Sequence, residues 1–186
     1  MILDDIFRYL RWRKAIKIIR ELSKNPTVCD IGCGVTGGLL RKTSNFINLG
    51  FGFDKETKPY KNSKIELRKI DFENEKLPLK DNTIDIVIML AVLEHLKKPE
   101  NILVEVVRIL KPGGLFILTT PSPKAKFILD LLASSKLIEK ETISEHKKYY
   151  SLKELENLFL NTGFQRENIN LQYFEFGFNI LAIIKK

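Results

Sequence analysis

Apolar and polar residues alternate along this chain in two rhythms, one of helical period and one of short unbroken runs. Over residues 2–24 the apolar positions fall at Leu3, Ile6, Phe7 and Leu10, then at Ala15, Ile18, Ile19 and Leu22, with Arg and Lys between them. The stripe slips once near Trp12, and Asn25-Pro26 ends the helix, since a residue before proline is pushed out of the helical region. Beyond it, short apolar runs predict strands over 27–31, 50–53, 65–70, 84–90 and 115–120, and helical patterns fill 38–46, 99–110 and 123–135. The run 84–90, IDIVIML, is apolar on both faces, as in a parallel strand covered on both sides. Lys111-Pro112-Gly113-Gly114 reads as a turn.

Ser151-Leu152-Lys153-Glu154 fits a capping box at the start of a helix that should stop at Asn161-Thr162, with Gly163 as its cap. Runs 168–174 and 178–185 are linked too closely for a crossover and must pair antiparallel, whereas the earlier strands need crossover helices. The fold class is therefore α/β, a doubly wound Rossmann-like sheet with a C-terminal antiparallel hairpin. At 186 residues it is expected to form one domain, with residues 1–25 a helix packed beside or over the ligand cleft.

Composition narrows this only a little. The chain is 44% apolar and 29% charged, near the soluble globular average, and has no internal repeat, so disordered and solenoid architectures gain no support. Its two cysteines, Cys29 and Cys33, lie four apart without a second pair or a His cluster at zinc spacing, so no metal site is expected. Free thiols in that setting point to a reducing cytoplasm, and the N-terminus lacks the apolar core of a signal peptide. No stretch has the length of a membrane span. The net charge of +8 could serve nucleic acid, an anionic membrane or an acidic substrate. Only eight of the 31 basic residues are arginine, however, and no aromatic-basic RNA signature is present, so a solvated basic surface is the simpler reading. A basic amphipathic helix such as 2–24 can also lie on a membrane, although packing on the domain beside the ligand cleft is the simpler reading.

The stretch VCDIGCGVTGGLL, 28–40, carries the candidate chemistry. Gly32, Gly34 and Gly37 satisfy G-x-G-x-x-G, and Asp54 follows about 20 residues on, where an acid binds ribose hydroxyls; on this basis alone the ligand could be NAD. Asp30 discriminates. Two residues before Gly32, its carboxylate would stand against a pyrophosphate, and like charges at close range cost several kcal/mol. A cationic amine or sulfonium beside a ribose suits the turn better, and S-adenosylmethionine is such a ligand. Asp30 could otherwise serve the turn alone, by capping backbone amides.

These residues resemble a known family. VCDIGCGVTGG looks like the first motif of class I S-adenosylmethionine-dependent methyltransferases, and GFDKE is similar to their next acidic motif. KIDFENEKLPLKDNTIDIVIMLAVLEHL, LKPGGLFILTTPSP and HKKYYSLKELENLFLNTGF resemble, in order, the adenine-contacting stretch with the fourth strand, the turn into the fifth, and a later helix of the small-molecule branch. The resemblance implies that Asp30, Gly32, Cys33 and Gly34 hold the methionine part. It likewise implies that Asp54 with Lys55 meets the ribose, Asp71 and Phe72 the adenine, and that Leu90 lines the cofactor. Here the glycine turn carries one residue more than usual between Gly34 and Gly37. Gly37 and Gly38 could equally serve packing alone.

Methyl transfer from a sulfonium needs alignment more than acid–base chemistry, with a base only where the acceptor holds its proton tightly. His95 and His146 are the candidates, since an ordinary imidazole titrates near neutrality, though either could be structural. The expected function is methyl transfer to a small-molecule or glycan-like acceptor. The alternatives are RNA or protein methylation, against which stands the absence of an Asn-Pro-Pro-type signature, and a module that binds the cofactor without turnover.

Overall fold

The computed structural model describes residues 2–22, 24–125 and 148–186. Helix α1 (Ile2–Leu22) leads into β1 (Thr27–Ile31), α2 (Gly38–Thr43), β2 (Leu49–Asp54), β3 (Tyr60–Lys61), β4 (Ile65–Lys69) and β5 (Ile84–Leu90). After a 3-10 turn (Leu93–His95) come α3 (Pro99–Ile109), β6 (Leu110–Pro121), α4 (Leu152–Asn161), β7 (Ile169–Phe174) and β8 (Asn179–Lys185). The strands form one eight-stranded sheet in the order β3-β4-β2-β1-β5-β6-β8-β7. β4, β2, β1, β5 and β6 run parallel, β8 lies antiparallel between β6 and β7, and β3 adds a short antiparallel rung at the far edge.

Each face of the sheet covers one apolar cluster. Leu103, Val106 and Ile109 of α3 and Leu155 and Phe159 of α4 pack on one side, where Phe116, Phe159 and Phe164 meet as edge-on and stacked rings. Ile18 and Ile19 of α1 and Leu39 and Leu40 of α2 pack on the other. The slip in the first apolar stripe now has a cause. Among the described side chains of α1, the buried ones lie in its second half, at Ala15, Ile18 and Ile19, while Ile6 and Tyr9 remain exposed. Gly38 gives Trp12 its place, because a Cβ there would press into the indole ring.

Several boundaries differ from the sequence expectation. The helix expected over 38–46 ends at Thr43, whose hydroxyl turns back to the carbonyls of Leu39 and Leu40. Residues 111–114 do not break the chain into turn and strand. They form a bulge inside β6, whose register against β5 jumps from Ile84↔Leu110 to Ile86↔Leu115, with Gly113 at φ 78°. β3 was not expected at all, since two residues leave no period to read. The capping box is present as expected: Ser151 Oγ accepts from Glu154 N at 3.3 Å and Glu154 accepts from Ser151 N at 2.8 Å, a cap worth about 1 kcal/mol. The helix expected over 123–135 lies mostly outside the described residues.

Candidate active site

Strand order reverses between β1 and β5, since β1 leads away to β2 and β4 on one side and β5 to β6 on the other. Loops leaving the carboxyl ends of these two strands diverge and open a crevice, the place where doubly wound sheets bind ligands. A cavity of about 520 Å³ lies there, lined by residues that include Gly32, Asp54, Lys55, Asp71, Phe72, Leu90 and His95. That volume suits a drug-sized or nucleoside-sized ligand. Residues from four separate sequence stretches thus converge on one opening.

The glycine turn after β1 is held by its own neighbours. Gly32 N and Cys33 N both donate to the carbonyl of Phe53, at 2.8 and 3.3 Å, and Gly34 N donates to Asp54 Oδ2 at 2.9 Å. A phosphate cradle works by leaving such amides free. Here the amides of Gly32, Cys33 and Gly34 are spent within the protein. Gly32 (φ 79°) could not carry a side chain, because a Cβ would overlap Cγ2 of Val92, whereas a Cβ on Gly34 (φ 68°) would meet nothing within 4 Å. Gly37 is bounded by Leu67 and Gly38 by Trp12, so these two glycines serve packing.

Asp30 stands behind the lining, 4% exposed, between Gly52 of β2 and Ile88 of β5. Burial pushes its carboxyl up to about 7, and the nearby Asp54 carboxylate adds to the rise. Such a group holds its proton more firmly in the folded chain than in the unfolded one. Its contribution to stability is complete below the ordinary value of 3.8 and is lost as the pH rises through about 7. A bound cation would invert the balance by favouring the ionised form. Affinity for S-adenosylmethionine should accordingly rise with pH through about 7, with proton release near that pH seen by calorimetry in two buffers of unequal ionisation enthalpy. Asp30→Asn should abolish the release; its persistence would locate the titrating group elsewhere.

Asp54 ends β2 with Oδ1 accepting from Glu56 N at 2.8 Å and Oδ2 from Gly34 N, which fixes the carboxylate toward the opening with lone pairs to spare. Asp71 follows β4 and accepts from Asn74 Nδ2 at 2.7 Å, and Phe72 packs partly on the core with an edge in the cavity. Cys33 does not face the cavity. Its thiol points to Thr57 Oγ1 at 3.8 Å, and burial, with Asp30 adding to it, pushes it up to about 12, so it stays protonated. Any part it takes in binding falls to its backbone. Gly34 likewise lies outside the lining.

His95 lies at the end of the 3-10 turn beyond β5 and lines the cavity. His146 lies outside the described residues. Sequence reasoning passed over two neighbours. Ala91 takes φ 56°, a conformation costly for any residue with a Cβ, at the point where β5 opens into the cavity. Nothing in the sequence marks it. Glu94 is fully buried, accepts from Thr120 Oγ1 at 3.1 Å through one oxygen and has no hydrogen-bond partner among the described residues for the other. Burial pushes its carboxyl up against the opposing pull of the His95 and Arg11 charges. A lone acid inside the apolar run VLEHL was its visible signal.

A reversed parallel sheet with a self-satisfied glycine turn, and acids at the ends of the next two strands, is the frame of class I S-adenosylmethionine-dependent methyltransferases, the class to which this protein belongs. The family model described as a methyltransferase domain matches residues 5–169, so the chain is a member of that family. It is similar to the ubiquinone biosynthesis O-methyltransferase of Colwellia psychrerythraea, 29% identical over 123 residues that cover 60% of this chain and 49% of that one. It is also similar to the demethylmenaquinone methyltransferase of Lactiplantibacillus plantarum, 28% identical over 196 residues covering 89% of this chain and 81% of the other. The chain thus spans only about half the length of the first relative. Among solved structures, a SAM-dependent methyltransferase from Archaeoglobus fulgidus superposes with a TM-score of 0.70 at 18% identity, covering 96% of this chain and 94% of that one, a likeness of fold.

Proposed function

We propose that this protein transfers a methyl group from S-adenosylmethionine to a small-molecule or glycan-like acceptor by in-line displacement. The observation that carries the reading is the convergence of Gly32, Asp54, Asp71, Phe72, Leu90 and His95 on one cavity at the strand-order reversal. The cofactor fits the donor set. Gly32 leaves the space of a Cβ to Val92, which lines the cavity, and buried Asp30 suits a cation. Asp54 with Lys55 would hold the ribose end, Asp71 and Phe72 the adenine, and Leu90 the body of the ligand. Gly34 and Cys33 would contribute backbone only. Bound there, S-adenosylmethionine supplies the electrophilic methyl group. The protein's part is to align an acceptor roughly 3 Å away and keep water out, and orientation of this kind lowers a barrier by roughly 7–11 kcal/mol.

The relatives named above are quinone-pathway enzymes, which supports a small-molecule acceptor over RNA or protein. In the same reading the chain is one methyltransferase domain with α1 beside the cofactor cleft, and its two free, buried cysteines agree with a cytoplasmic location. His95 would take the proton from a hydroxyl acceptor. His95→Ala should then lower kcat by roughly 10²–10⁴-fold for such an acceptor while S-adenosylhomocysteine still raises the melting temperature. Thermal unfolding with S-adenosylmethionine, S-adenosylhomocysteine and NADH comes first. At about 100 times its dissociation constant a ligand adds roughly 2.7 kcal/mol, a rise of roughly 5–10 °C for a chain of this length. A response to NADH alone would refute the reading. A response to the sulfur ligands with no turnover over a panel of acceptors would favour the binding-module alternative.

A further inference from the structure

The carboxyl edge of the sheet continues outward from the cavity to the link between β7 and β8. Glu175, Phe176 and Gly177 link β7 to β8, and all three have positive φ, at 52°, 58° and 87°. The conformation is easy for Gly177 and costly for the two residues that carry a Cβ. The turn is nevertheless firmly tied down. Ser122 Oγ donates to the Gly177 carbonyl at 2.6 Å, Ser122 N to the Phe178 carbonyl at 2.8 Å, Phe178 N to the Glu175 carbonyl at 3.1 Å, and Asn179 Nδ2 to the Glu175 carboxylate. The outcome is that Phe176 stands 97% exposed at the tip. Its ring adds nothing to the core, yet a strained and anchored backbone displays it.

The neighbouring surface has the same character. Tyr173 of β7 is 46% exposed, with the Lys124 ammonium 5.9 Å from its ring centroid. α1 runs antiparallel to β1, and Trp12 meets Gly38 just past the carboxyl end of that strand, so the residues before Trp12 extend beyond the sheet. Arg11 comes close enough to Glu94 and Glu175 to favour the ionised form of both, which places this half of the helix between the cavity and the hairpin tip. Ile6 and Tyr9, one turn or so earlier, are 48% and 59% exposed. Phe and Tyr beside Lys, on a chain of net charge +8, is the composition of surfaces that rest in the headgroup region of a bilayer.

We propose that the β7–β8 tip and the first half of α1 form one face that docks on an anionic lipid bilayer, with Phe176 entering the boundary between headgroups and acyl chains. Charge decides between a membrane and a second copy of the chain as occupant. A chain of net charge +8 is drawn to anionic lipid and repelled by its own kind. Shape agrees, since a protruding hairpin tip offers little of the roughly 800 Å² per partner that a stable dimer buries. Among the described residues no helix is long and apolar enough to cross a membrane, and the contact proposed is interfacial. It would bring the opening of the cavity to the lipid surface.

The test is cosedimentation of the full chain with phosphatidylcholine–phosphatidylglycerol vesicles and with pure phosphatidylcholine vesicles. The wild type should bind the anionic vesicles more tightly. Phe176→Ser should weaken that binding by roughly tenfold or more, the effect of leaving one aromatic ring unburied, while its melting response to S-adenosylhomocysteine stays that of the wild type. Phe176→Trp should keep the binding, with emission that shifts to the blue and is quenched by brominated lipid only when vesicles are present. Trp12 is the only native tryptophan, so the wild type gives the reference signal. Failure of the wild type to sediment with anionic vesicles would overturn the proposal, as would equal binding by Phe176→Ser. So would a wild-type dimer, seen by sedimentation velocity, that Phe176→Ser dissolves. None of these results bears on the cofactor reading, which the melting response reports separately.

Discussion

Gly32→Ala should abolish the melting response to S-adenosylhomocysteine and lower the melting temperature of the free protein by roughly 5–15 °C. Two costs add at this position. A Cβ at φ 79° is unfavourable by about 1–2 kcal/mol, and its overlap with Val92 Cγ2 adds about 1–3 kcal/mol as the wall of the cavity is pushed aside. Gly34→Ala supplies the control. Its φ of 68° imposes a similar backbone cost, but open space surrounds its Cβ, so it should be destabilised by the first term alone and keep most of its ligand response. Adding Val92→Ala to Gly32→Ala should recover part of the loss in stability. Equal melting temperatures and intact ligand responses for the two alanine variants would mean that close approach at Gly32 is not what the site requires.

Asp54→Ala is expected to weaken S-adenosylmethionine binding by roughly 10²–10⁴-fold, measured by calorimetry, because a carboxylate holding two hydroxyls contributes about 1.5–3 kcal/mol through each bond. The same change strips Gly34 N and Glu56 N of their acceptor, loosening the turn that binding needs. It also acts on Asp30. Without the Asp54 charge the Asp30 carboxyl should fall from about 7 toward its ordinary value, though burial, the larger cause, still holds it up. The pH at which affinity rises should therefore move down in a milder variant, Asp54→Asn, which still binds measurably. If affinity in Asp54→Ala matches the wild type, the acid at the end of β2 has only a structural part.

Most of the sheet was legible because the central strands are buried on both faces and leave unbroken apolar runs; β1 and β5 fell where 27–31 and 84–90 predicted. What escaped was set by tertiary contacts. Gly113-Gly114 carry turn chemistry locally, yet pairing of the flanking residues with β5 and β8 carries the chain through as a bulged strand. α2 stops at Thr43 because a hydroxyl can bond back to the preceding turn, a competition that apolar spacing does not report. At the site, glycines and acids announced themselves by type and spacing. The strained Ala91 did not, since its role depends on where β5 ends, and Glu94 showed only as a lone acid in an apolar run, its burial against Thr120 being set by β6.

The two-residue strand β3 bears on how these molecules behave when crowded together. An open sheet ends in unpaired amides and carbonyls that a neighbouring chain can extend, and that is a route to aggregation. On this side the outermost strand is too short to template another. Lys61 pairs with Glu66 at 2.8 Å and Arg68 closes on the same carboxylate, so charge is concentrated along the border. An incoming strand would have to strip water from all three charges before gaining a single ladder bond. The brief rung of Tyr60 and Lys61 thus keeps the sheet from growing at this margin.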